Sequence, residues 1–252
     1  MLQSWRGRFA VSSKGPRDLV TEADLASQTE IRQLVTSAFP DFGFEGEESL
    51  PGASDAEQEH AVRWVVDPLD GTTNYVHGYP AYCVSVALAE GDRLLVGAIY
   101  DPVANECFTA RAGHGAWLNG SRLRVTATEE PTEALAAISF PAQSERDSLA
   151  VRDFLAVLPH LRAVRRSGSS ALNLAYLAAG RLDAFWARRI ASWDVAAGLL
   201  LVQEAGGFTA PLIPPGSPGG EPGETVPLAN PAFLAASTAP LLVTLRDLMT
   251  AG

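Results

Sequence analysis

The chain has 252 residues, 29 acidic and 19 basic side chains, and a formal net charge of −10. Hydrophobic residues make up 47% and charged residues 19%, a soluble globular profile that sets aside a disordered tail, and the acidic balance argues against nucleic-acid partners. No apolar run approaches the roughly 18 residues of a membrane-spanning helix and the N-terminus has no signal-like stretch, so no membrane contact and a cytoplasmic location are expected.

The first predicted element is a helix from Asp24 to Phe39, where Leu25, Ile31, Leu34, Val35 and Ala38 recur at helical spacing. Thr21 and Asp24 stand in capping-box spacing at its start, and Pro40 closes it. Trp64-Val65-Val66 forms a short buried strand running into Asp67-Pro68. From Tyr82 to Val125, strand-like runs alternate with turns at Glu90-Gly91-Asp92, Asp101-Pro102, Gly113-His114-Gly115 and Asn119-Gly120, the rhythm of an antiparallel meander. Cys83 and Cys107 lie in these apolar runs and are expected as reduced core thiols. The four histidines (His60, His77, His114 and His160) have no zinc-binding spacing.

After Pro131, strands at Leu135 to Ser139, Ala163 to Arg166, Asp183 to Trp186, Gly207 to Thr209 and Phe233 to Ser237 alternate with helices. The helices run from Arg146 to Leu158, Ser169 to Ala179, Asp194 to Glu204 and Pro240 to Met249. This alternation predicts a helix-covered sheet of α/β type. Pro211 to Pro227, dense in proline and glycine, predicts a long surface loop. A boundary near residue 130 divides an N-terminal lobe with an antiparallel sheet (1–130) from a C-terminal α/β lobe (131–252).

The chemistry concentrates in four acidic segments. In Asp67-Pro68-Leu69-Asp70-Gly71-Thr72-Thr73-Asn74, Pro68 pushes Asp67 towards an extended conformation and Gly71 permits a sharp turn. Two carboxylates and the Leu69 carbonyl would then converge at a strand end, a hard oxygen set suited to magnesium. On this segment alone, a metal site and an ordinary Asp-Pro/Asp-Gly turn are both open. Gly46-Glu47-Glu48 alone would be a solvated face, and Asp194 alone would be the N-cap of an apolar helix. Asp18 to Asp24 is likewise explicable as helix capping.

Taken together and in order, Asp18-x-Val20-Thr21-x-x-Asp24, Gly46-Glu47-Glu48, Asp67-Pro68-x-Asp70-Gly71-Thr72-x-Asn74 and Trp193-Asp194-x-Ala196-Ala197 followed by Glu204-Ala205-Gly206-Gly207 resemble the inositol monophosphatase family of magnesium-dependent phosphatases. The resemblance covers Lys14 to about the C-terminus and implies an αβαβα layered fold, a homodimer and two or three Mg2+ ions. It implies that Glu47, Asp67 and the Leu69 carbonyl hold a first magnesium, that Asp67, Asp70 and Asp194 hold a second, and that Glu47 serves a third through waters. Thr72 and Glu47 are implied as the pair that activates the attacking water, with Asp24 supporting Thr72. The Gly71 and Thr72 N–H groups would hold phosphate oxygens, Lys14 matches a family lysine near the metals, and Glu48 has a supporting place.

The resemblance also implies a small phosphorylated substrate touching Asp70, Gly71, Thr72, Asp194 and the Ser167-Gly168-Ser169-Ser170 turn, with inositol 1-phosphate the default. Fructose 1,6-bisphosphate, histidinol phosphate and a regulatory binding role on the same fold are the alternatives. One departure bears on substrate choice. The family usually places an inositol-binding glutamate where this chain has Ala187, and Arg188-Arg189 follow. These arginines either bind a second anionic group or are surface charges. Only 13 residues precede Lys14, so either the helix that the family places there is reduced or the true start lies further upstream.

Overall fold

In the computed structural model, which describes residues 1–15, 18–49, 60–141, 144–213 and 219–251, the chain opens with a single-turn helix, α1 (Leu2–Trp5). A two-stranded antiparallel ribbon follows, β1 (Val11–Gly15) and β2 (Asp18–Thr21). Helix α2 (Glu22–Ala38) starts with the predicted capping box: Thr21 Oγ1 accepts the Ala23 N–H at 3.2 Å, and Asp24 Oδ2 accepts the Thr21 N–H at 2.9 Å. The face it buries is not the predicted apolar stripe. Leu34 is 64% exposed, while Ala23, Asp24, Ser27 and Gln28 are buried.

Strand β3 (Gly43–Gly46) pairs parallel with β4 (Val62–Asp70), which is longer than the predicted Trp64–Val66 and runs through the Asp-Pro motif. A short helix, α3 (Thr72–His77), follows directly. The predicted meander appears as β5 (Cys83–Glu90), β6 (Arg93–Asp101), β7 (Glu106–Arg111), β8 (Gly115–Leu118) and β9 (Ser121–Arg122). Strands β4 to β9 pair antiparallel with their neighbours, and β3 joins β4 in parallel to complete seven strands in sequence order. Both cysteines are free, with Cys83 buried.

The remaining elements are β10 (Leu135–Ser139), α4 (Leu149–Val157), β11 (Ala163–Arg165), α5 (Ser170–Ala178), β12 (Ala184–Ala187), α6 (Ser192–Glu204), β13 (Phe208–Pro211), β14 (Phe233–Ala236) and α7 (Ala239–Ala251). They form a five-stranded sheet in the order β11-β10-β12-β14-β13. Its β10, β11 and β12 are mutually parallel, and β14 runs antiparallel to β12 and β13. The predicted loop from Pro211 to Pro227 is not wholly at the surface. Leu212 and Val226 are buried, while residues 214–218 lie outside the described residues.

The elements stack as α2, the seven-stranded sheet, α5 with α6, the five-stranded sheet, and α4 with α7, an αβαβα order. Side-chain alternation along β12 explains the two inner layers. Phe185 and Ala187 face the core shared with α5, α6 and the larger sheet, while Ala184 and Trp186 face α7. Each fully buried Phe or Leu of this core contributes about 1.5–3 kcal/mol. Helix α5 lies so close to α6 that a Cβ at Gly198 would meet Leu174 Cβ at 2.4 Å. Among the described residues, no helix is long and apolar enough to cross a membrane.

Candidate active site

Two aspartates three apart on a regular strand point to opposite faces of the sheet. On β4 they do not, because the strand slips against β5 between them: Asp67 pairs with Ser85 and Asp70 with Cys83. Three steps on β4 thus oppose two on β5, a bulge that falls on Pro68, which has no N–H for the ladder. The Leu69 N–H turns inward to Asp67 Oδ1 at 2.9 Å. Gly71 then takes φ +92°, and a Cβ there would meet the Ala81 carbonyl oxygen at 2.8 Å, so only glycine fits the turn into α3.

Asp194 arrives from the other side, on the first turn of α6. It is not the N-cap, as the sequence suggested, but the third helical residue, and Oδ2 accepts the N–H of Ala191, the actual cap position, at 3.0 Å. One carboxylate oxygen each from Asp67, Asp70 and Asp194 lies within 4.8 Å of the others. Three acids at this separation, Asp67 and Asp70 buried and Asp194 partly so, oppose each other's ionisation. Burial, then the charges of Glu47, Asp70 and Asp194, push Asp67 well above the usual carboxylate range. Burial lifts Asp194 to about 7, with the charge of Asp70 adding to it. Burial also lifts Asp70 to about 6, against hydrogen bonds that favour its ionised form.

Those bonds come from the start of α5. Asp70 Oδ2 accepts the Ser169 hydroxyl at 2.6 Å and the Ala171 N–H at 2.7 Å, and Oδ1 accepts the Ser170 N–H at 3.3 Å. Ser169 was expected to face substrate. The structure instead places it fully buried, with its hydroxyl given to Asp70. Gly168, at φ +85°, lies against the side chain of Asn74, whose Nδ2 donates to the Ser167 and Ala81 carbonyls at 2.9 and 2.6 Å.

Thr72 Oγ1 lies 3.0 Å from Asp24 Oδ1 and 3.1 Å from the Leu69 carbonyl oxygen. The other Asp24 oxygen is held by the N–H and hydroxyl of Thr21. Burial raises the pKa of Asp24, and the Thr21 and Thr72 bonds oppose that rise. Glu47 follows β3, with its N–H on the Val66 carbonyl at 3.2 Å, and its charge reaches all three aspartates. The neighbouring Glu48 is buried.

The structure also places the residue that stands where the family has its glutamate, and the arginine after it, which the sequence left open as an anion ligand or a surface charge. The Ala187 methyl belongs to the apolar core, and Arg188 is buried, with its guanidinium paired to Asp153 of α4 and to the Leu212 carbonyl. Burial next to a carboxylate makes Arg188 a link between layers. Lys14 belongs to β1, but its side chain lies outside the described residues.

The sequence reading missed Ser27 and Gln28. Ser27 Oγ donates to the Pro68 carbonyl at 3.0 Å, and Gln28 clamps Glu48 by donating to its carbonyl at 2.6 Å and accepting its N–H at 2.9 Å. Both sit one turn beyond Asp24 on the same face of α2, and that polar spacing was the available signal.

A model of the inositol monophosphatase family matches residues 1–228. The chain is 41% identical over 210 residues to the inositol-1-monophosphatase of Rhizobium meliloti (strain 1021), covering 82% of this chain and 77% of that protein. It is 42% identical over 206 residues to the Nus factor SuhB of Pseudomonas aeruginosa, covering 80% and 75%. The crystal structure of the extragenic suppressor protein suhB from Bartonella henselae superposes on the whole chain and 93% of its own, with a TM-score of 0.88 at 35% identity. Fold, acidic site and relatives agree on a phosphoric monoester hydrolase. Within that class, the chain belongs to the inositol monophosphatase family.

Proposed function

We propose that the protein hydrolyses a small polyol or sugar phosphate monoester with the help of magnesium, with inositol 1-phosphate the default substrate. The observation that carries this reading is the convergence of Asp67, Asp70 and Asp194, whose oxygens lie within 4.8 Å of one another. An all-carboxylate oxygen set fits a hard divalent cation, which would favour the ionised form of acids that burial otherwise keeps protonated. Asp67, Asp70 and Asp194 would hold one Mg2+, and Glu47, Asp67 and the Leu69 carbonyl a second. Bound magnesium supplies positive charge for the phosphate and the leaving oxygen, and acidifies water.

The chain's own groups do the rest. Thr72, sharing its proton with Asp24, keeps lone pairs on Oγ1 free to orient the attacking water. Glu47 takes the proton from that water at its carboxylate. The N–H groups of Gly71 and Thr72 hold phosphate oxygens. Asp70, fixed by three donors from α5, keeps its place as substrate turns over. The relative named inositol-1-monophosphatase supports the default substrate.

Phosphate release from inositol 1-phosphate, fructose 1,6-bisphosphate and histidinol phosphate, with Asp67→Asn as control, tests the reading. Turnover of at least one ester by the wild type, lost in the variant, is expected. Failure on every small ester while metal still binds would refute the substrate class.

The relative named Nus factor SuhB favours a second reading, protein-partner binding alongside catalysis. A pulldown that Asp67→Asn leaves unchanged would support it. We also propose the homodimer and the cytoplasmic location that the family resemblance implies.

A further inference from the structure

The acidic ligands come from separate layers. Asp67 and Asp70 belong to β4 of the seven-stranded sheet, and Asp194 belongs to α6. One carboxylate oxygen of each lies within 4.8 Å of the others. Ionised together with no cation between them, carboxylates this close would repel and oppose the approach of the first turn of α6 to the strand. Something must hold it there.

Among the described residues, two polar contacts besides the Asp194–Asp67 hydrogen bond tie that turn to the sheet. Ser85 Oγ, opposite Asp67 on β5, donates to the Trp193 carbonyl at 3.2 Å. The other contact is stronger in kind. Ser192, the first residue of α6, donates its hydroxyl to Glu45 Oε1, and Glu45 Oε2 pairs with Arg63 Nε at 2.7 Å. Arg63 is anchored in turn on the Gly91 carbonyl at 3.1 Å. The Glu45 and Arg63 side chains are only 17% and 15% exposed, so the link is partly shielded from water. Glu45, on β3, precedes Glu47 by two residues, and Ser192 precedes Asp194 by two on α6. The link therefore joins the backbone segments that carry two of the acidic groups.

We propose that Glu45 is a positioning residue for the metal site. Resting on the magnesium reading above, it acts through Ser192 to hold Asp194 at coordinating distance from Asp67 and Asp70, with Arg63 fixing its orientation and offsetting its charge. An ionised acceptor makes the Ser192 bond stronger than a neutral one. The link preorganises the site, so its loss appears in metal affinity before it appears in the chemistry.

The test titrates Mg2+ into EDTA-stripped full-length protein by calorimetry, for the wild type, Glu45→Ala, Ser192→Ala, the double variant and Ser192→Thr. Losing one charge-assisted hydrogen bond should weaken Mg2+ binding on the order of tenfold in each alanine variant. The double variant should be no weaker than either single, because both remove the same link. Ser192→Thr, which keeps the hydroxyl, should bind like the wild type. Turnover at saturating Mg2+ should change little in any of them.

Wild-type Mg2+ affinity in both alanine variants, with only a lower unfolding temperature in EDTA, would make the link merely structural and overturn the proposal. Additive losses in the double variant would also overturn it. A wild type that binds no Mg2+ would overturn the magnesium reading itself, a result distinct from both.

Discussion

Asp67, Asp70 and the partly buried Asp194 are acids whose folded-state pKa values lie above the ordinary 3.8, at about 6 for Asp70 and about 7 for Asp194. Between about pH 4 and 7 the metal-free folded protein therefore holds protons that the unfolded chain has released. Its stability must fall as pH rises through that window. Unfolding temperature in EDTA should decline from pH 5 to pH 8, and excess Mg2+, which binds the ionised carboxylates, should flatten the decline. A metal-free stability that rises over this range would contradict the assignment. Asp67→Asn, which removes one repelling charge, should raise the EDTA unfolding temperature at pH 8. It should also abolish the Mg2+-induced shift, as differential scanning calorimetry can check. These three acids were legible in the sequence because each stands in a short motif with its own turn chemistry. Gln28 and Ser85 were not, because their partners lie 20 and 108 residues away, and Ser169 was singled out without its partner Asp70, 99 residues away.

At the scale of elements, the motifs needed a bulge and a helix start to become a site. Pro68 signalled the first, but the slip against β5 that turns Asp70 onto the face of Asp67 is a pairing property, visible only with both strands in place. Helix α2 was located correctly and oriented wrongly. Its Leu25 and Leu34 are exposed, and its buried face is polar because Ser27 donates to the Pro68 carbonyl of β4 and Asp24 accepts the Thr72 hydroxyl. Apolar periodicity assumes that a buried face is greasy, and a helix packed against an active site breaks that assumption. Asp194 shows the same limit, since cap and third-residue positions differ by one turn geometry that sequence leaves open. The α5–α6 contact offers a test at this scale. Gly198→Ala would drive a methyl into Leu174 Cβ, and should cost about 1–3 kcal/mol in denaturant unfolding. A neutral effect would mean that the helices can move apart freely.

Across the whole molecule, residues on both sides of position 130 share one apolar core, from Val65, Ile99 and Phe108 to Leu172, Val195 and Phe233. We propose that the lobes 1–130 and 131–252 accordingly unfold as one unit. Thermal unfolding followed by tryptophan fluorescence and by far-UV dichroism should give coincident transitions, and two separated transitions would refute that proposal. The net charge of −10 also takes on a local meaning, because part of the acidity is gathered where a cation would offset it. The most direct test of that account is phosphate release from inositol 1-phosphate by protein stripped with EDTA and then titrated with Mg2+. The account predicts no release after chelation and recovery as Mg2+ is restored. Full turnover after exhaustive chelation would contradict it.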